Sequence, residues 1–287
     1  MTTNEPTSVT TRTVTVGPLD TDLAVAEVGR GGRPLLLVHG FTGAKEDFGD
    51  WMEALAADGW WVVAPDLRGH GASAKPTAEE DYSFVAFADD LDGLLAELGW
   101  DRFALLGHSM GGAIVQELAL RDPARIERLV LMNTHHASFE GLDPGVVQTG
   151  IDIIRTEGLP ALLEVLDAFA GPKKASEQRV HDTRPGYAAF GETKLAAASP
   201  AMYASMAMQL VTRADRLDEL ASFTAPTLVI IGVEDVDLVP ASERMGATIP
   251  GATLAVIPDA AHAPQFENPD AWWQALRAFL LEDSLVD

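Results

Sequence analysis

The stretch FALLGHSMGGAIVQELAL, residues 103–120, decides how this chain is read. It opens on four apolar residues, 103–106, the kind of short continuous run found in a strand buried on both faces. It closes on residues 113–120, a helix candidate. Between them GHSMGG, at 107–112, makes a sharp turn with Ser109 at its apex. A serine hydroxyl is a poor nucleophile unless it is exposed to a base and held near oxyanion donors. A strand-to-helix turn serves both needs. It presents the side chain outward, and the first N–H groups of the helix are free. Gly107 and Gly111, two residues to either side, let strand and helix approach closely. The bare G-x-S-x-G pattern is weak; its place between a strand and a helix gives it weight.

Working outward, further β-type runs fall at 14–16, 23–28, 35–38, 61–64, 129–132, 227–231 and 253–257. The first two read as an opening strand pair. Helical patterns lie between many of the runs. In residues 84–98, for example, Phe87, Leu91, Leu94, Leu95 and Leu98 recur at helical spacing, and 271–281 is another candidate. Such alternation predicts an α/β fold: a mostly parallel sheet with helices on both faces. Residues 135–215 break the pattern. They read as helix and loop, with helices at 146–155 and 160–169 and a loop signal at 182–186. The expected organisation is a core of residues 1–134 and 216–287 and a helical cap insertion of residues 135–215. The cap would lie over the carboxyl edge of the sheet, where ligands bind in such folds.

Composition narrows the function. The chain has 287 residues, 47% of them hydrophobic, enough to bury a sizeable core. Its 20 basic and 43 acidic residues give a net charge of -23, which repels phosphate backbones and argues against a nucleic-acid partner. With no cysteine there is no thiol nucleophile, no disulfide framework and no cysteine metal site. No run approaches the ~20 apolar residues of a membrane span. The polar, Thr-rich start shows no secretory signal, so a cytoplasmic location is expected. Neither a phosphate-cradling G-x-G-x-x-G unit nor an H-E-x-x-H pair is present, and no cofactor or metal is implied.

A serine nucleophile needs a base and an acid to orient that base. Of the seven histidines, His262 alone follows the last strand run in a Pro-flanked loop. The acid should follow the run at 227–231, where both Asp235 and Asp237 stand. In an extended segment the two point to the same side, so parity cannot choose between them. The run at 129–132 is followed by Asn133 and Thr134, with no carboxylate nearby. The donors for the oxyanion would include the backbone N–H of Met110, just past the nucleophile.

Five motifs in one order carry a resemblance: HGF at 39–41, DLRGHGAS at 66–73, GHSMGG at 107–112, GVED at 232–235, and HAP at 262–264 followed by ENP at 267–269. The chain resembles the α/β-hydrolase superfamily, in its branch of capped serine esterases, over nearly everything but the cap. The resemblance implies a triad of Ser109, His262 and an acid, with Phe41 supplying the second oxyanion N–H. It favours Asp235, which stands three residues after the loop glycine Gly232; Asp237 then reads as a solvated loop charge. The implied activity is cleavage of a carboxylic ester or lactone through an acyl-enzyme. The same family includes C–C bond hydrolases and cofactor-free perhydrolases, and a non-catalytic small-molecule receptor is the reading from a different class. The expected partner is an ester-like small molecule with an apolar part. His39, His108, His135 and Met206 are candidates to touch it, although His39 and His108 also sit where loops need shaping. Arg68 and His70, in a glycine-marked loop, read as structural.

Overall fold

The computed structural model describes residues 8–139, 141 and 143–282. Eight strands form one sheet: β1 (Thr10–Val16), β2 (Thr21–Val28), β3 (Arg33–Val38), β4 (Trp60–Pro65), β5 (Phe103–His108), β6 (Ile126–Met132), β7 (Thr227–Gly232) and β8 (Thr253–Ile257). Their order is β1-β2-β4-β3-β5-β6-β7-β8. β2 pairs antiparallel with β1 and β4, and the strands from β4 to β8 run parallel. The α/β fold class expected from the alternating runs is the one observed.

The continuous apolar runs become inner strands because both faces of the sheet are covered. Every residue of β5 and β7 is buried. Side chains alternate across a strand. Leu36, Val38, Leu105 and Leu131 therefore share one core with the helices Phe84–Leu98 and Met110–Arg121. Leu35, Leu37, Leu106 and Val130 share the other with the helices Gly49–Ala57 and Pro269–Leu281. Each such leucine taken fully out of water stabilises the fold by about 2 kcal/mol before entropy is counted. Local signals set the helix ends. Ser83 accepts a hydrogen bond from Ala86 N at 3.0 Å, and Gly99 closes the same helix at φ 71°.

Between β6 and β7 the chain leaves the sheet. It forms the helices Pro144–Glu157, Leu159–Phe169, Ala175–Thr183, Tyr187–Ala196, Pro200–Thr212 and Leu217–Leu220. Two of these begin with proline just behind a capping side chain, Asp143 and Ser199. The helices expected at 146–155 and 160–169 are longer by a turn or less. The loop expected at 182–186 shrinks to 184–186, because Asp182 and Thr183 finish a helix whose polar composition hid it from a reading based on apolar spacing.

Candidate active site

Three loops leave the carboxyl ends of β5, β7 and β8, on one edge of the parallel part of the sheet. Each carries one of the residues singled out by the sequence. Ser109 stands between β5 and the helix Met110–Arg121 with φ 54° and ψ -119°. Side-chain-bearing residues avoid that region at a cost on the order of 1–3 kcal/mol. The surroundings hold it there. Ser109 N donates to Met132 O at 3.0 Å, while Ser109 O accepts from Gly112 N at 2.9 Å and from Thr134 Oγ1 at 2.7 Å. The two flanking glycines are needed for space. A Cβ on Gly107 would stand 2.5 Å from Gly111 O, and one on Gly111 would stand 2.3 Å from Val38 O. Neither distance is tolerable for carbon against carbonyl oxygen.

His262 Nε2 lies 3.0 Å from Ser109 Oγ, and His262 Nδ1 lies 2.7 Å from Asp235 Oδ2. An ionised carboxylate only accepts, so Nδ1 carries the proton and Nε2 offers its lone pair to the serine hydroxyl. Asp235 is 6% exposed. Burial works to raise its pKa. The bond and charge of His262, the Asn133 amide and the Lys174 ammonium outweigh that and hold the carboxyl below its usual range. Asp237 is exposed on the same loop.

Asn133, which entered the sequence reading only because no carboxylate stands at the end of β6, contacts Asp235. Its Nδ2 donates to Asp235 Oδ2 at 2.7 Å and to Ala261 O at 2.9 Å, tying that carboxylate to the loop of His262. Its φ of 43° is a conformation asparagine tolerates better than most residues. An asparagine immediately after a central strand was the available signal. Glu267, which opens the motif at 267–269, also has a contact that the motif alone did not reveal. Its buried carboxylate accepts from Ala261 N and braces the same loop, and burial pushes its own pKa up.

The backbone N–H groups of Met110 and Phe41 donate to no acceptor among the described residues. Gly40 places the second of them beside the serine, since a Cβ there would lie 3.1 Å from Ser109 Cβ. His70 Nε2 sits 2.7 Å from Phe41 O and steadies that turn. Arg68 makes a buried two-pronged pair with Asp90.

A cavity of about 610 Å³ opens over Ser109 and His262. Its walls are largely apolar, with Phe41, Ile151, Ile154, Leu162, Leu166 and Tyr203 among them. Of the four candidate substrate contacts, His108 and His135 line it. His108 Nε2 donates to His262 O at 2.7 Å, and burial followed by the neighbouring His262 pushes its pKa down to about 3. The other two candidates need correction. His39 is fully buried away from the cavity, with Nδ1 2.8 Å from Gly40 O and Nε2 accepting from Leu67 N at 3.0 Å. Its role is to hold two loops together. Met206 is fully buried in the core, while Tyr203, Ala207 and Leu210 of the same helix reach the cavity. On a helix, residues three and four apart share a face. Tyr203, Ala207 and Leu210, spaced four and three apart, share the face that borders the cavity, and Met206 at the margin of that face packs into the core, which composition alone could not decide.

Comparison with known proteins agrees with this architecture. A putative carbamate hydrolase from Rhizobium rhizogenes is 29% identical over 264 residues, spanning 88% of this chain and 95% of its own. The enol-lactonase of Burkholderia xenovorans LB400 superposes with a TM-score of 0.80 at 26% identity, covering 94% of this chain and all of that one. A thermophilic esterase from Thermogutta terrifontis gives a TM-score of 0.77 at 29% identity, covering 94% and 98%. These similarities support hydrolase activity. Residues 33–269 match the family described by the alpha/beta hydrolase fold, and the chain belongs to that family.

Proposed function

We propose that this protein is a serine hydrolase that cleaves a carboxylic ester or lactone through an acyl-enzyme. The observation that carries the reading is the chain of contacts from Ser109 Oγ to His262 Nε2, at 3.0 Å, and from His262 Nδ1 to Asp235, at 2.7 Å. Ser109 attacks the carbonyl carbon and His262 takes its proton. Asp235 keeps the imidazole in the tautomer that can do so and stabilises the imidazolium that forms. The N–H groups of Met110 and Phe41 receive the negative charge that develops on the carbonyl oxygen. His262 then returns the proton to the leaving oxygen. Water, activated by the same imidazole, releases the acid and restores Ser109.

In this reading residues 1–134 and 216–287 form the chemical core, and residues 135–215 form a cap that selects substrate. The cap reading rests on Ile151, Ile154, Leu162 and Leu166, which come from the helices between β6 and β7 and line the cavity over Ser109. An apolar acyl or alcohol part fits such walls.

A fluorophosphonate probe should label the protein once, and Ser109→Ala should lose both labelling and turnover of a p-nitrophenyl ester. Undiminished labelling of the Ser109→Ala protein would overturn the assignment. Labelling without turnover of any ester or lactone would point instead to C–C cleavage or to perhydrolysis by the same nucleophile. Absence of both would leave a receptor.

A further inference from the structure

Two cations line the cavity, Lys194 and Arg213, and they differ in their company. Lys194 Nζ stands 2.6 Å from Asp47 Oδ1, and Asp47 lines the cavity beside it, so that charge is neutralised on the spot. Arg213 pairs with no carboxylate among the described residues. Its guanidinium touches only neutral groups: His135 O at 3.1 Å, Gln116 Oε1 at 3.5 Å and the face of Phe84, 5.0 Å from its centroid. The nearby carboxylates are engaged elsewhere. Glu117 binds Arg216 at 2.6 Å, and Asp215 binds His136 at 2.7 Å. In a chain with 43 acidic and 20 basic residues, a partly buried cation without a counter-ion is an exception. A buried charge left unpaired is costly, which favours an anion that arrives from outside. A guanidinium has five N–H donors, so the contacts above leave some unused.

His135 adds a second donor on the same wall. Its Nδ1 accepts from Ala137 N at 2.8 Å, so a neutral imidazole there carries its proton on Nε2. That nitrogen has no partner among the described residues. Burial, then the charges of His136, Arg244 and Arg213, push the His135 pKa down to about 4, which keeps it neutral at ordinary pH. Arg213 itself is pushed down to about 10 by burial and by Arg216, which outweigh the carboxylates of Glu117 and Asp215, and it stays charged.

We propose that Arg213 and His135 form a carboxylate subsite, and that the substrate is an ester or lactone bearing a free carboxylate at the end of its acyl chain away from the scissile bond. The Arg213 fork takes the carboxylate oxygens and His135 Nε2–H adds a third donor. Apolar wall residues hold the chain between that group and the ester. This inference rests on the serine-hydrolase reading for its chemistry, although not for its binding site.

The test has two arms. In the first, mono-p-nitrophenyl esters of adipic, suberic and sebacic acid are compared with their methyl esters, which have the same chain and no charge. The parent should favour the free acid in kcat/KM at one chain length at least. Arg213→Gln should reduce that preference by about 10- to 100-fold. Arg277→Gln, in an exposed pair with Asp58 that lines no part of the cavity, should leave it unchanged. In the second arm, monomethyl and dimethyl adipate, suberate and sebacate are titrated calorimetrically into the Ser109→Ala protein. Only the mono-acids should bind, and adding Arg213→Gln should remove that binding. Equal affinity for acid and diester, or binding indifferent to Arg213→Gln, would overturn the subsite. Selective binding of the acid without turnover by the parent would instead refute the hydrolase reading and leave the subsite standing.

Discussion

The helix Met110–Arg121 and the helix Tyr187–Ala196 both border the cavity, yet they are built in opposite ways. Nine residues of the first are buried, two of them glycines pressed against backbone or side chain. None of the second is. The contrast extends to their neighbourhoods. The loops of Ser109, Asp235 and His262 are tied by backbone and side-chain hydrogen bonds, among them those of Thr134, Asn133 and Glu267. The helices between β6 and β7 leave Leu166 49% and Phe169 84% exposed. Bond making needs reacting atoms held within a fraction of an ångström, and the ends of strands buried in a sheet covered on both faces provide that. Accommodation of a chain of variable length needs no such precision. Substitutions in the first region should therefore be severe and indifferent to substrate, and those in the second mild and selective.

The sharpest way to break this contrast is Asp235→Asn. If Asp235 is the acid of the proposed triad, loss of its carboxylate removes control of the imidazole tautomer, and turnover should fall on the order of 10³- to 10⁴-fold. Asp237→Asn, on the same loop but exposed, should stay within a few-fold of the parent. If Asp237→Asn is the crippled variant, the acid has been misassigned. Asn133→Ala should fall between them, with a loss of about 10-fold in kcat on every ester, because Asp235 keeps His262 but loses a second donor. A loss confined to long-chain esters would place Asn133 among the selective residues instead.

Acid should expose the tightness of the first region. Burial pushes His39, His70 and His108 down, His108 to about 3, whereas an unfolded histidine titrates near ~6.5. The unfolded chain thus binds protons that the folded one refuses. The stability these groups confer is whole above pH ~6.5 and is lost as pH falls toward their folded values. The urea midpoint should drop steadily between about pH 6 and pH 4. A flat midpoint across that window would show that these histidines are not held neutral. The smallest expected effect is that of Leu166→Ala. Its exposure limits the stability change to about 0.5 kcal/mol, while its place on the cavity wall should shift the preferred acyl length. Equal losses on short and long esters would erase the proposed division of labour.

The periodicity of apolar runs was enough to foretell the sheet, because strands buried on both faces cannot be anything but continuously apolar, and helices that cover them must keep one apolar face. The strand-to-helix turn around Ser109 was legible for a similar reason: glycines at 107 and 111 record the close approach of two backbones. His262 and Asp235 were legible through motif order and resemblance, with parity unable to separate Asp235 from Asp237. Contacts between segments distant in sequence left no local mark. Asn133 reaches Asp235 across 102 positions and Ala261 across 128, and no spacing rule spans such distances. His39 and Met206 looked as fit for a pocket as His108 and His135. Only packing decided that the first pair faces the core. Sequence determines which side chains must leave water, while the direction each one points depends on what the rest of the chain has placed against it.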